Sequence, residues 1–450
     1  MPGLRYAIGA KGAGKTIKRF FMIARAYGIT SKRMEHNLNL FEGSLTKYSC
    51  SATFPITAVV LEKHEKMIQG FQKKGLEFAI HGLVHRDYSM LALSEQEDQI
   101  QKAVKIFRDA NINVHGFRGP YFGCDENTLM ALNNANLLYE SDETVLWDVI
   151  EDESVERHKN SVNKILQLYN LKKSEGYRSL PCNYNGLIRI PVSLPDDEII
   201  MDRLNITEPP KINEIWKSLL EQSYGRGELF TLQLHPERIE TFANSLENVL
   251  AEARTRSPIV WIAQLKEIAK WWKERDKFCI EIKGKKGEYV VDIDCSDEAT
   301  ILLKNINIET EQAKEWYSDY KTVDCNAFKV KSSYHPFIGV SPSAPEGLVS
   351  LLKEEGFYVE ESTAKDKFKI YFDFEHSDFE EKDKLSIIQK IDGSDAPLVR
   401  IWRWPHGARS ALSITGDVDA ITIWDYVHQL FQSQKPLTKF ISGFNLGILE

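Results

Sequence analysis

GLEFAIHGLVH, residues 75–85, joins a short apolar run to two histidines four positions apart. The run reads as a strand, so His81 and His85 stand at its carboxyl end. Two imidazoles at that separation can face one divalent cation, from a helical turn or from a wrapped loop. The zinc-protease form of the motif needs Glu directly after the first His, and Gly82 stands there instead. An isolated HxxxH also occurs on surfaces and in cores, so its setting decides.

The surroundings alternate. ATFPITAVV, VHGFRGPY, LYESD, IRIPVS and LFTLQLH read as strands, separated by helical stretches such as EKHEKMIQGFQKKG and SEQEDQIQKAVKIFRDA, and VWIAQLKEIAKWWKE closes the series. This order predicts an α/β fold, a parallel sheet or (β/α) barrel whose reactive groups gather at the carboxyl ends of strands. Upstream, KRFFMIARAYG is amphipathic, and Thr30-Ser31 precedes a second helix containing MEHNLNLF.

Downstream of about residue 277 the texture changes. CIEIKGKKGEYVVDIDC alternates with period two around a GKKG turn, FKVKSS and FKIYFDFE follow, and EGLVSLLKEEG is the one clear helix. The charge run EHSDFEEKDK at 375–384 reads as a solvated loop. Near the end, ALSIT is a strand and ITIWDYVHQLF a helix. The expected organisation is an N-terminal helical segment (1–45), the barrel (46–276), a β-rich α+β module (277–400) and a closing strand and helix (401–450).

Other reactive groups occupy strand ends. Arg118 lies in FRGPY and His235 ends LFTLQLH; alone, the first would be an ion-pair residue and the second a satisfied polar group. Asp417 and Asp419, two apart in SITGDVDA, face one side if the segment is extended. One carboxylate would complete a His, His, Asp cation site and the other would serve as a base; an acidic turn or helix cap is the alternative. Leu232 and Leu234 are either core residues or the lining of a small apolar slot.

Composition narrows the classes. At 450 residues the chain suggests two or three domains, and 42% hydrophobic residues supply a core. A net charge of −8, from 57 basic against 65 acidic residues, disfavours nucleic acid as a partner. Six dispersed cysteines without a CxxC pair indicate neither a zinc knuckle nor a disulfide framework. No apolar run approaches the ~18 residues of a membrane span. The short FFMIA is no secretory h-region, so a cytoplasmic location is expected.

GAKGAGKT at 9–16 spells a phosphate loop, with Lys15 as its lysine. A working loop follows a buried strand and pairs with a second strand ending in Asp; here only LRYAI precedes it, and YVVDID lies in the differently textured module. Nucleotide binding stands as an alternative.

His81-Gly-Leu-Val-His85, Arg118-Gly-Pro-Tyr121 and Leu232-Gln-Leu-His235, in this order, resemble the HxxxH, RxPY and LxLH motifs of the polysaccharide deacetylases of NodB-homology type, carbohydrate esterase family four. SATFPIT is similar to the strand before those motifs, and SDETVLWD, around Asp142 and Trp147, to the acidic-tryptophan segment. That family opens with an Asp-rich strand, whereas here ITGDVDA closes the chain, so the resemblance implies a circularly permuted, irregular (β/α) barrel. It implies that His81, His85 and Asp419 hold a divalent metal, most often zinc. Asp417 would be the general base, Arg118 would orient it, and His235 would protonate the leaving amine. Should ITGDVDA be a cap, Asp87 or Asp142 would replace Asp419. The implied activity is metal-assisted removal of an N-acetyl group from an amino sugar or glycan precursor, and the alternative from another class is a noncatalytic carbohydrate-binding protein.

Overall fold

The computed structural model describes residues 27–150 and 171–432, apart from 286, 309–312, 374–378 and 381. GAKGAGKT and most of KRFFMIARAYG lie outside the described residues.

Nine strands form the central sheet: β1 (Thr53–Ile56), β2 (Glu77–Ile80), β3 (Gly116–Phe117), β4 (Tyr139–Glu140), β5 (Cys182–Tyr184), β6 (Leu187–Arg189), β7 (Leu229–Gln233), β8 (Val260–Ile262) and β9 (Ser410–Thr415). Their order is β7-β9-β1-β2-β3-β4-β6-β5, with β8 also against β9. Every pairing is parallel except β5 with β6. All residues of β1, β2, β7 and β9 are buried, as expected for parallel strands covered on both faces.

One edge of β9 meets two neighbours in succession. Ser410 to Leu412 pair with β8, whereas Thr415 and Val418 pair with Thr53 and Ile56. The opposite edge follows β7 from Ala411 to Thr415. This handover curls the sheet into a half-barrel, the mixed α/β architecture expected from the alternation.

The helices follow local signals. Leu93–Asp109 buries Ile100, Ala103 and Phe107 at three- and four-residue spacing. Asp125 and Thr128 form a reciprocal capping box that starts the helix Glu126–Asn134.

Between β8 and β9 the chain builds two four-stranded antiparallel arrangements. One contains Cys279–Lys285, Gly287–Asp294, Ala327–Ser332 and Asn307–Ile308; the other contains Ala313–Tyr317, Tyr320–Val323, Ile301–Lys304 and Leu398–Ile401. A small parallel sheet of Ile338–Val340, Val359–Glu361 and Tyr371–Phe372 adjoins them. The helix Glu346–Glu354 is the expected one, but Asp383–Asp392 is a second. It starts inside the charge run and buries Ile387, Ile388 and Ile391, an apolar face hidden by the flanking charges. YVVDID sits in an antiparallel strand with Asp292 and Asp294 exposed, unlike the buried parallel strand that a phosphate loop requires.

Glu355, almost fully buried, ties this region to the barrel. It accepts from Arg400 Nη2 and Arg403 Nη2, each at 2.6 Å, and from Arg178. Arg403 Nη1 in turn donates to the carbonyls of Arg226 and Gly227 at 2.8 and 3.1 Å. Although burial opposes ionisation, Arg403, Arg178 and Arg400 outweigh it and hold the Glu355 carboxyl at about 2. Removing the anion takes the carboxylate from the buried Arg403, while Arg400 keeps Asp392 and Arg178 keeps Glu354, so Glu355→Ala is expected to cost about 3 kcal/mol in denaturant unfolding. Because the folded-state value is depressed, this contribution is complete above the unfolded carboxyl's value near 4.5 and is lost as pH falls towards 2. Unfolding curves for wild type and variant should therefore converge on acidification.

Candidate functional site

The loop after β2 brings the two histidines together. Gly82 has φ +77°, and a Cβ there would come within 2.9 Å of the Tyr88 ring and the Val84 carbonyl. The first amides of the helix Ala58–Lys63 pin the loop: Ala58 N–H donates to the Gly82 carbonyl at 3.0 Å and Val59 N–H to that of Leu83 at 3.2 Å. HGLVH is thus a wrapped loop, with the His81 and His85 ring centroids 5.2 Å apart.

β9 delivers the aspartates. A Cβ on Gly416 would lie 2.3 Å from the Leu234 carbonyl, so only glycine lets the segment pass β7 this closely. Beyond it, Asp419 Oδ1 lies 3.3 Å from His81 Nε2 and 3.4 Å from His85 Nε2. This oxygen is buried and, among the described residues, has no hydrogen-bond partner, while the side chain as a whole is 23% exposed.

The three groups fit a divalent cation. In a tetrahedral zinc site, ligands about 2.0–2.1 Å from the ion stand roughly 3.3–3.4 Å from one another, the spacing found here. His81 Nδ1 lies 2.8 Å from the Arg118 carbonyl, which makes Nδ1 the protonated nitrogen and leaves the Nε2 lone pair facing Asp419. Burial opposes a charged His81, but Asp417 and Asp419 outweigh it and raise this imidazole; burial dominates at His85 and lowers it. Despite burial, His85 and His81 hold the Asp419 carboxyl far below the usual range.

Asp417 does not approach the histidine nitrogens in the same way. Arg118 Nη1 donates to its Oδ1 at 3.1 Å and Gln233 Nε2 to its Oδ2 at 3.0 Å. Arg118 is itself fully buried and fixed by Thr415 Oγ1 at 2.9 Å, the Ser141 carbonyl at 3.0 Å and Ser141 Oγ at 2.8 Å. On the other side, His235 Nδ1 lies 2.8 Å from Asp197 Oδ1, and its backbone N–H donates to Asp197 Oδ2 at 3.0 Å. Burial works against the imidazolium, but Asp197 reverses this and raises His235 well above its ordinary value.

The expected residues Arg118, Asp417, Asp419, His81, His85 and His235 therefore converge on one end of the sheet. Neither substitute ligand stands with the histidines: Asp142 Oδ1 accepts from Gly119 N–H, and Asp87 accepts from Ser89. Trp147 is buried with the Arg226 guanidinium over its ring, and Leu232 and Leu234 are both buried in the hydrophobic core. Cys124, Glu140 and Asp142 form a second group of closely spaced donors. Glu140 is already taken by Arg189 at 2.5 Å and by Asp142 N–H at 2.7 Å, and burial pushes the Cys124 thiol up.

Two partners escaped the sequence reading. Asp197 follows the apolar run IRIPVSLP, so the rule that reactive groups sit at strand ends points to it. Gln233 precedes His235 by two positions and so shares its side of an extended segment.

An α/β half-barrel with a histidine and aspartate centre at the ends of its strands defines the class. Residues 35–139 match the family model described as polysaccharide deacetylase, which bears out the resemblance drawn from the motifs. The match spans HGLVH and RGPY but stops short of LQLH and ITGDVDA. Among solved structures, the chain is similar to a "probable polysaccharide deacetylase" from Pseudomonas aeruginosa PAO1 at 15% identity, covering 57% of this chain and 76% of that one, with a TM-score of 0.42. It is similar to Puue allantoinase at 15% identity, covering 52% and 72%, with a TM-score of 0.41. A family 4 carbohydrate esterase from Streptomyces lividans, in complex with acetate, shares 12% identity over 48% and 80%, with a TM-score of 0.29. No curated protein matches the chain. Among the described residues, no helix is long and apolar enough to cross a membrane.

Proposed function

We propose that this protein is a metal-dependent deacetylase that hydrolyses the N-acetyl amide of an amino sugar. Its substrate is an acetylated amino sugar or a related glycan precursor. The observation carrying this reading is the buried, unpartnered Asp419 oxygen at 3.3 and 3.4 Å from two histidine nitrogens, flanked by the Asp417–Arg118 and His235–Asp197 pairs.

His81, His85 and Asp419 would hold the cation, and their nitrogen and oxygen donors suit zinc. When bound, such an ion polarises the acyl carbonyl and acidifies water. Asp417 accepts the proton of the attacking water; Arg118 and Gln233 fix the direction of its oxygens beforehand, so little reorganisation accompanies the transfer. An amide nitrogen leaves poorly as an anion and needs a proton as the C–N bond breaks. His235, kept protonated by Asp197, supplies it. Base and acid are thus each held in direction by buried partners, Asp417 by Arg118 and Gln233 and His235 by Asp197.

The test is acetate release from N-acetylchitotetraose by purified protein, before and after dialysis against a chelator, with zinc added back. Chelation is expected to lower the rate about a thousandfold, matching the several kcal/mol a cation contributes to the transition state, and zinc should restore it. Undiminished release from metal-free protein would remove the reading.

A further inference from the structure

Arg118 and Gly119 are joined by a peptide group whose two ends are both engaged. Its carbonyl faces His81 Nδ1 at 2.8 Å, and its N–H donates to Asp142 Oδ1 at 2.6 Å. A carboxyl group, a peptide and an imidazole thus form one hydrogen-bonded line that ends at His81 Nε2, the atom 3.3 Å from Asp419 Oδ1. The Arg118 side chain takes no part in this line, because Thr415, Ser141 and Asp417 hold its guanidinium. Further along the same loop, Tyr121 and Phe122 have φ of +62° and +54°, which side chains seldom adopt unless the surroundings impose it. The Tyr121 ring stands edge-on to His85 with centroids 4.7 Å apart, so a displaced loop disturbs both imidazoles. Asp142 is itself nearly fully buried, and its Oδ2 has no hydrogen-bond partner among the described residues. A carboxylate oxygen of Glu140, a residue held by Arg189 Nε at 2.5 Å, lies within 4.8 Å of one on Asp142. Burial, and then the Glu140 charge, raise the Asp142 carboxyl well above its ordinary value, so it keeps its proton to higher pH.

We infer that Asp142 is a positioning residue for the cation centre: by accepting from Gly119 N–H it fixes the 118–119 peptide, whose carbonyl in turn sets the ring orientation of His81 and the direction of its Nε2 lone pair. This rests on the reading of His81, His85 and Asp419 as a cation site and adds a residue that touches neither ion nor substrate. Hydrogen bonds in a line polarise one another, so the anchored carbonyl is the stronger acceptor and His81 the better ligand. Without Asp142 the buried Gly119 N–H loses its acceptor, and the peptide is free to tilt away from His81.

The experiment measures zinc affinity and stoichiometry by competition with a chromophoric chelator, in metal-free wild type, Asp142→Ala, Asp142→Ser and Asp142→Asn, with denaturant unfolding of each. Asp142→Ala and Asp142→Ser, neither of which reaches the Gly119 N–H, are expected to bind their zinc about tenfold more weakly, the loss usual when an outer partner of a metal-bound histidine is removed. Asp142→Asn keeps a carbonyl oxygen for Gly119 and, like the protonated acid, offers a donor towards Glu140; it should recover most of that loss. Should the alanine protein fail to fold, the serine protein, which keeps a polar group there, decides. Wild-type affinity in a folded alanine or serine variant, however far its unfolding midpoint has moved, overturns the assignment, as does an asparagine variant as weak as alanine. A second zinc in wild type that disappears in the variants makes Asp142 a ligand beside Cys124 and Glu140, and overturns it too. Wild-type protein that takes up no zinc removes the cation site itself, and the assignment with it.

Discussion

His81→Ala is expected to lose the bound cation and on the order of 10³–10⁴ in kcat/KM for acetate release, since the several kcat-determining kcal/mol of carbonyl polarisation leave with the ion. His81 is nearly fully buried, and its Nδ1 is committed to the Arg118 carbonyl, so no neighbouring side chain can take its place. Elemental analysis should fall from about one metal per chain towards zero. Asp419→Ala should do the same, because its Oδ1 lies at comparable distances from both imidazoles. Retention of metal and rate in His81→Ala would place the cation elsewhere. Retention in Asp419→Ala alone would detach the ITGDVDA segment from the centre.

Asp417→Asn separates base from ligand. The variant should keep its metal while kcat falls about 10²–10⁴-fold, the usual contribution of a positioned general base, with KM changed little. Asparagine preserves the shape but removes the negative charge that faces Arg118 Nη1 at 3.1 Å. Because Arg118 is fully buried, some stability is lost as well, and thermal unfolding beside the kinetics identifies that part. Metal loss in this variant equal to that in Asp419→Ala would assign Asp417 to the ligand set instead.

Much of the arrangement was legible in the sequence because parallel strands are short, apolar and bounded, and their carboxyl ends carry the reactive groups. Apolar runs ending in His81, Arg118, His235 and Asp417 were each visible on that rule. Asp197 is masked in the sequence by the acidic segment around Asp142 and Trp147, a stronger linear signal whose residues bond to Gly119 and stack with Arg226. The helix Asp383–Asp392 was hidden because three isoleucines are scattered among charges that dominate a linear reading.

The position of β9 between β7 and β1 sets a timetable for synthesis. Until residue 410 and its successors have left the ribosome, β7 and β1 have no strand between them, and two apolar edges stay open. A nascent chain at that stage can already have folded the segment between β8 and β9, yet it offers histidines without their aspartates. A chain that stops before β9 would therefore keep those two edges exposed and adhesive, with His81 and His85 lacking the carboxylate that stands beside them in the folded protein.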